Sequence, residues 1–143
     1  MSFDLKIVRG DLAIQTNGDI KPIFGNDKLK QDIIKILMTE TGENKFHPEY
    51  GSAVGALKIG SIPDEELLVQ DLSASAESAI KRLISLQRSQ MRRQFLSPGE
   101  IIVDLLDVSV QRDVNDPRVY NIFVSVITQE LTPITESIPI RVF

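Results

Sequence analysis

The sequence contains no cysteine and no tryptophan, and its single histidine is His47. The absence of cysteine excludes disulfides, thiolate nucleophiles and cysteine-based zinc or iron–sulfur sites. One histidine also excludes any site that needs two imidazoles from one chain. Aromatic residues make up 6% of the sequence, which is too few for a platform that stacks bases or sugars. We therefore expect no metal site and no cofactor.

The chain also lacks an excess of positive charge and any long apolar run. It has 16 Lys and Arg against 20 Asp and Glu, a formal net charge of −4, so we expect neither nucleic acid nor a membrane as a partner. No apolar stretch approaches the ~18 residues needed to span a bilayer, and residues 1–9 lack the apolar core of a signal peptide. We therefore expect a protein that is made in the cytoplasm. The 143 residues, 42% of them hydrophobic, predict a single domain over 1–143.

Short alternating segments and turn residues fill the first 25 positions. Leu5 and Ile7 are two residues apart, as in a half-buried strand, and Asn17-Gly18 is a strong tight-turn signal. This pattern predicts a small N-terminal β-meander.

An amphipathic helix is predicted directly after the meander. Its apolar residues recur at helical spacing on one face, namely Leu29, Ile33, Ile36 and Leu37. Asn26 or Asp27 is expected to cap its start, and Gly42 is expected to end it. Ile34 and Met38 widen the apolar stripe beyond a single core contact, so we expect them to contact a partner helix.

A second, long helix is predicted from Ser61, which is its expected N-cap. A straight helix from there to Phe95 would extend about 50 Å, whereas a domain of this length has a radius of gyration near ~14 Å. We therefore expect the helix to break between Gln87 and Phe95.

Two predicted strands follow this helix. Residues 101–110 change the parity of their apolar alternation, which predicts a bulge near Leu105-Leu106. Residues 119–129 have apolar side chains on both faces, which predicts that both faces are covered.

The tail alternates again at Ile138, Ile140 and Val142, and Pro139 cannot donate to a strand ladder. Both features predict an edge strand that binds a partner, because an uncovered apolar edge promotes aggregation. The predicted fold class is thus α+β: a small N-terminal β-meander, two main helices and a largely antiparallel C-terminal sheet in one domain. Its N-terminal and helical part covers 1–96 and its strand part 97–143.

No nucleotide-binding, zinc-protease or serine-hydrolase motif is present. A glycosidase needs only two carboxyls, and Glu40, Glu43 and Glu49 crowd the turn after the first helix. Nothing in the sequence raises the pKa of one of these acids above another. We therefore expect no catalytic residue, and a peptidoglycan-degrading hydrolase with Glu43 and Glu49 as its acids is the alternative.

An ordered series of short motifs is similar to a known family. The series consists of Asp11-Leu12-Ala13-Ile14, Asn17-Gly18-Asp19-Ile20, residues 36–43 (ILMTETGE) and Pro48-Glu49-Tyr50-Gly51-Ser52. It resembles the small baseplate wedge family of contractile phage tails, the family of phage protein W and the T-even gene product 25. The match covers roughly residues 11 to 110.

The resemblance implies a structural protein of the virion tail baseplate, assembled in the bacterial host cytoplasm. Its helical part would dock on larger wedge subunits, and its C-terminal sheet would let the sheath protein join by strand exchange. Tube or hub proteins are further candidate partners. Tailocins and other injection systems contain related proteins, and a cytoplasmic adaptor domain unrelated to phage remains a third interpretation.

The chain departs from the family at one motif. Many members carry Glu-Pro-Arg before the first long C-terminal strand, where this chain has Ser97-Pro98-Gly99-Glu100 and no arginine. Glu100 is therefore kept as a candidate partner-binding residue, without the role of the family motif.

Overall fold

A computed structural model describes residues 3–9, 11–54 and 64–141. The fold is α+β, as predicted, with short N-terminal strands, two helices and a C-terminal antiparallel sheet. The elements are β1 (Asp4–Leu5), β2 (Ile7–Val8), β3 (Asp11–Leu12), β4 (Pro22–Ile23), α1 (Gly25–Met38), α2 (Glu65–Gln90), β5 (Ile102–Arg112), β6 (Val119–Thr128) and β7 (Pro133–Arg141).

The N-terminal strands are nested, which differs from a simple meander. Strand β1 pairs with β4, and β2 pairs with β3 inside that pair, both antiparallel. Three backbone hydrogen bonds of 2.8 Å form a closed cycle in which Lys6 donates to Lys21, Lys21 donates to Ala13 and Ala13 donates to Lys6. The predicted Asn17-Gly18 turn is confirmed, since Gly18 has a φ of +89°.

Helix α1 begins and ends at other residues than predicted. Its N-cap is Phe24, whose side chain cannot accept a hydrogen bond, so neither Asn26 nor Asp27 caps the helix. The helix ends at its C-cap Thr39, where the hydroxyl donates to the Lys35 carbonyl at 2.7 Å. The prediction that Gly42 ends the helix was therefore wrong.

Helix α2 begins with an aspartate cap. The Asp64 side chain accepts a hydrogen bond from the Glu66 amide at 3.0 Å, and the predicted cap Ser61 lies outside the described residues. The helix ends at Gln90, which confirms the predicted break between Gln87 and Phe95.

Gln87 joins the end of α2 to the start of the sheet. Its amide nitrogen donates to the Glu100 carbonyl at 2.7 Å, and its amide oxygen accepts from the Ile102 backbone at 2.9 Å. Gln87 is 5% exposed, so both backbone groups depend on this one side chain for a partner inside the protein. These two hydrogen bonds of Gln87 fix where β5 begins.

The C-terminal sheet has the strand order β5-β6-β7, with both pairs antiparallel. The register of β5 shifts between Ile102 and Asp104 and again between Leu105 and Asp107. The second shift confirms the predicted bulge near Leu105-Leu106.

One face of β6 is buried and the other is only half-buried. The buried face consists of Tyr120, Ile122, Val124, Val126 and Thr128. Phe123 and Ile127 lie on the opposite face and stay partly exposed, so the predicted cover is complete on one face and partial on the other. Helices α1 and α2 pack against this three-stranded sheet, and one apolar core runs from Leu29 of α1 to Ile140 of β7.

Candidate functional site

The outer face of α1 carries two exposed apolar side chains, Ile34 and Met38. Ile34 is 36% exposed and Met38 is 60% exposed, whereas Ile33 and Ile36 of the opposite face are fully buried. The placement of Ile34 and Met38 outside the core is thus confirmed. The contact of these two side chains with a partner helix stays a prediction.

The N-terminal strands are attached to this same helix through Gln31. The Ile7 amide donates to the Gln31 side-chain oxygen at 2.9 Å, and the Gln31 amide nitrogen donates to the Leu5 carbonyl at 2.9 Å and to Asp4 Oδ2 at 3.0 Å. Lys35, one turn further along the helix, forms an ion pair with Asp4. Polar contacts therefore hold the strands beside the exposed apolar residues of α1.

A groove of about 640 Å³, here called the α1 groove, lies between these strands and the helix. Its walls are apolar side chains from both elements, with charged side chains among them. The lining residues are Lys6, Ile7, Arg9, Ile23, Asp27, Lys30, Gln31, Ile34, Lys35, Met38 and Thr39.

A second, polar pocket of about 430 Å³ lies on another side of α1. In it Lys28 Nζ lies 2.8 Å from Asp32, with both side chains at most 16% exposed. Burial raises the pKa of Asp32 above its usual 3.8, despite the ion pair with Lys28. Burial, together with the negative charges of Asp32 and Asp4, raises the pKa of Tyr50 to about 12.

The acidic and basic groups of this pocket neutralise one another. Burial opposes the ionised form of Asp4, but hydrogen bonds, the largest of them from Lys35, hold its pKa below 3.8. The ion pair between Asp4 and Lys35 ties β1 to α1, whereas the pair of Lys28 and Asp32 lies within α1. Among the described residues that line the pocket, both carboxylates are therefore paired with a lysine.

Sequence reasoning missed this network. Its members come from segments up to 46 residues apart, from Asp4 to Tyr50, and only folding brings them together. The spacing of Lys28 and Asp32, four residues apart on a helix, was the one signal in the sequence that pointed to it.

The acids of the hydrolase alternative lie on an exposed loop after α1. The Glu43 carboxylate accepts a hydrogen bond from the Glu40 amide at 3.2 Å, and the Glu49 carboxylate lies 3.6 Å from His47 Nδ1. Glu43 and Glu49 are both exposed and neither lines the polar pocket. Both carboxylates are therefore open to solvent on this loop.

Three of the predicted partner-binding side chains are buried. Glu100 is 1% exposed, and its carboxylate accepts a hydrogen bond from Ser97 at 2.8 Å and lies 3.9 Å from Lys28. Ile138 and Ile140 are 2% and 8% exposed and belong to the core. Their side chains therefore pack inside the protein in this structure, and a partner contact at these positions stays a prediction.

The main chain of β7 offers a contact of a different kind. Among the described residues, β7 pairs with β6 alone, so its outer edge has no strand beside it, and Pro139 lies within it. This confirms the predicted edge strand. The last predicted contact residue, Val142, lies outside the described residues.

Within the described ranges, no group of three or more His, Asp or Glu side chains could hold a metal ion. In the same part of the chain, no helix combines the length and the hydropathy that crossing a membrane requires.

The fold is similar to that of a solved structure from Geobacter sulfurreducens, described as a "putative tail lysozyme". The TM-score is 0.61 at 14% sequence identity, and the match covers 82% of this chain and 90% of that chain. No protein-family model and no curated protein matches the sequence. At this identity the similarity shows a common fold.

Proposed function

We propose that this protein is a structural subunit of a contractile phage tail or of a related injection particle, located in the baseplate wedge. The α1 groove carries the proposal, because it is an uncovered apolar surface with Ile34 and Met38 at its centre. The name of the solved structure with the same fold includes the word tail, and the sequence motifs resemble a baseplate wedge family, so both support a tail protein.

Two surfaces have separate roles in this proposal. The α1 groove docks on helices of larger wedge subunits. The free edge of β7 pairs through its main chain with a strand of the first sheath ring, which needs no exposed apolar side chain. The burial of Ile138 and Ile140 supports this division, because it holds the edge rigidly against the core.

A single substitution tests the docking role. Ile34→Asp places a charge in the groove, where the side chain is 36% exposed, so we expect particles to lose this subunit while the purified protein keeps a cooperative unfolding transition. Val114→Asp is the matched control, since Val114 is 98% exposed in the loop between β5 and β6 and should affect neither property. Electron microscopy of particles and thermal unfolding measure the two outcomes. Normal particles with the Ile34→Asp protein incorporated would refute the docking role.

We propose no catalytic activity for this protein. Purified protein is expected to release no fragments from peptidoglycan, and the double variant Glu43→Gln, Glu49→Gln should assemble like the wild type. Wall-degrading activity that is present in the wild type and lost in this double variant would establish the hydrolase instead.

A further inference from the structure

The α1 groove is positively charged, although the chain as a whole carries a net charge of −4. Of the described residues that line it, four are cationic and one, Asp27, is acidic. Lys35 is paired with Asp4, but Lys6, Arg9 and Lys30 form no ion pair within the part of the chain that the structure describes. The groove thus has cationic groups available to an acidic partner.

The backbone at Arg9 adds an independent observation. Arg9 lies in the connection between β2 and β3 and has a φ of +52°, a conformation that glycine and asparagine adopt more readily. An arginine there costs about 1 kcal/mol relative to glycine. Arg9 is one of the residues that line the groove, so the connection between β2 and β3 lies at the groove.

The apolar residues of the groove determine the shape of the partner segment that can bind there. Ile7 and Ile23 line it from the strands, and Ile34 and Met38 line it from α1. From Asp27 to Met38 the helix rises about 17 Å, which is roughly three turns. A partner helix of three turns with one apolar stripe would cover this length, and its flanks would lie near the cations.

We propose that the α1 groove binds an acidic amphipathic helix of a partner protein. This inference rests on the proposed docking role and adds the chemistry of the partner. Burial of the apolar stripe supplies most of the affinity, because an exposed charge pair contributes at most about 1 kcal/mol. The cations select an acidic helix over a basic one and speed its association.

The test uses the full chain and two fluorescent synthetic peptides of equal length. Both carry leucine at helical spacing on one face, and the flanking positions are all glutamate in one peptide and all lysine in the other. Fluorescence anisotropy at low and high NaCl gives the affinities. We expect the glutamate peptide to bind about tenfold more tightly or better at low salt, with an advantage that shrinks at high salt.

Charge-reversal variants test whether the preference for the glutamate peptide comes from the groove. The double variant Arg9→Glu, Lys30→Glu should weaken binding of the glutamate peptide about tenfold or more. The control Lys81→Glu, Arg93→Glu makes the same change in net charge on exposed positions outside the groove, and it should leave the affinity within about twofold. If the Glu double variant unfolds, Arg9→Gln, Lys30→Gln provides the same comparison with a smaller expected loss.

Each contrary result has a defined meaning. Equal binding of both peptides, tighter binding of the lysine peptide or an equal loss in the control variant would overturn the inference. Failure of both peptides to bind would also overturn it. The proposed docking role would survive any of these results if Ile34→Asp still removed the subunit from particles, so the two failures are distinguishable.

Discussion

The N-terminal strands and the C-terminal sheet are both β-structure, yet they are stabilised in opposite ways. In the described part of residues 3–24, Ile23 is the one buried side chain, and the strands are two residues long. In the sheet, strands of nine to eleven residues contribute fully buried side chains to the core. The sheet is held by apolar burial, and the N-terminal strands are held by hydrogen bonds and one ion pair to α1.

This difference separates the region that stabilises the fold from the region to which our proposal assigns the docking contacts. The exposed apolar residues of the N-terminal strands include Phe3, Leu5, Ile7, Val8, Leu12, Ile14, Ile20 and Phe24. A surface with so many apolar side chains is typical of an interface. In our proposal, these strands and the α1 groove together form the docking surface, and the sheet and α2 support it.

Truncations at the two ends should give the largest contrast. Deleting residues 133–143 removes β7 with its buried side chains Ile134, Ile138 and Ile140, so we expect the protein to lose its cooperative unfolding transition. Deleting residues 1–21 removes no side chain of the core and should leave a cooperative transition. Circular dichroism with thermal unfolding distinguishes the two, and a folded protein without β7 would contradict the division.

A matched pair of isoleucines should reproduce the contrast at single-residue scale. Ile122 is fully buried in β6, so Ile122→Ala should lower the free energy of unfolding by about 2–5 kcal/mol. Ile14 is 69% exposed, so Ile14→Ala should change it by less than about 0.5 kcal/mol. Urea unfolding measures both values, and equal losses would mean that the N-terminal strands share the core.

Loss of the two Gln87 hydrogen bonds at the start of the sheet should have an intermediate effect on the free energy of unfolding. Gln87→Ala leaves the Glu100 carbonyl and the Ile102 amide without their partner, which should cost about 1–3 kcal/mol. Gln90→Ala, at a less buried position near the end of the same helix, is the control and should cost less than about 0.5 kcal/mol. Urea unfolding again provides the measurement. An unchanged midpoint for Gln87→Ala would show that water replaces the side chain.

Acidification should release the N-terminal strands from α1. Of all these changes, it should have the smallest effect on the free energy of unfolding. The pKa of Asp4 is lowered in the folded protein, so its stabilising contribution is complete above about 3.8 and is lost as the pH falls through the lowered value. Asp32 acts in the opposite sense, because its raised pKa makes protonation favour the folded state. Because the two aspartates have opposite effects on the free energy of unfolding, the contribution of Asp4 has to be measured with a local probe.

Amide chemical shifts provide that probe. The amides of Leu5 and Ile7 should move together as the pH falls below about 3.8, while those of β6 stay unchanged. In Asp4→Asn the same amides should already be displaced at neutral pH. A wild-type protein whose Leu5 and Ile7 amides do not respond would show that the Asp4 contacts do not hold the strands.

The sequence predicted the features that depend on local periodicity. The buried face of α1, the end of α2, the bulge in β5 and the edge position of β7 all follow from apolar spacing and breaker residues. Features that depend on distant segments were not predictable, such as the nested pairing of β1 with β4 and the network of Asp4, Lys35 and Tyr50. Only part of the α1 groove was predicted. Ile34 and Met38 stood out in the sequence as apolar residues beyond those that the core needs, whereas nothing in the sequence placed Lys6 and Arg9 beside them.

Amide hydrogen exchange tests the central claim most directly, by comparing the free protein with the protein in assembled particles. If residues 3–24 are partner surface, their amides exchange rapidly in the free protein, while those of β6 exchange only on global unfolding. The same N-terminal amides should become protected in the particle, together with those near Ile34 and Met38. Protection in the free protein equal to that of β6, or no gain of protection in the particle, would contradict the account.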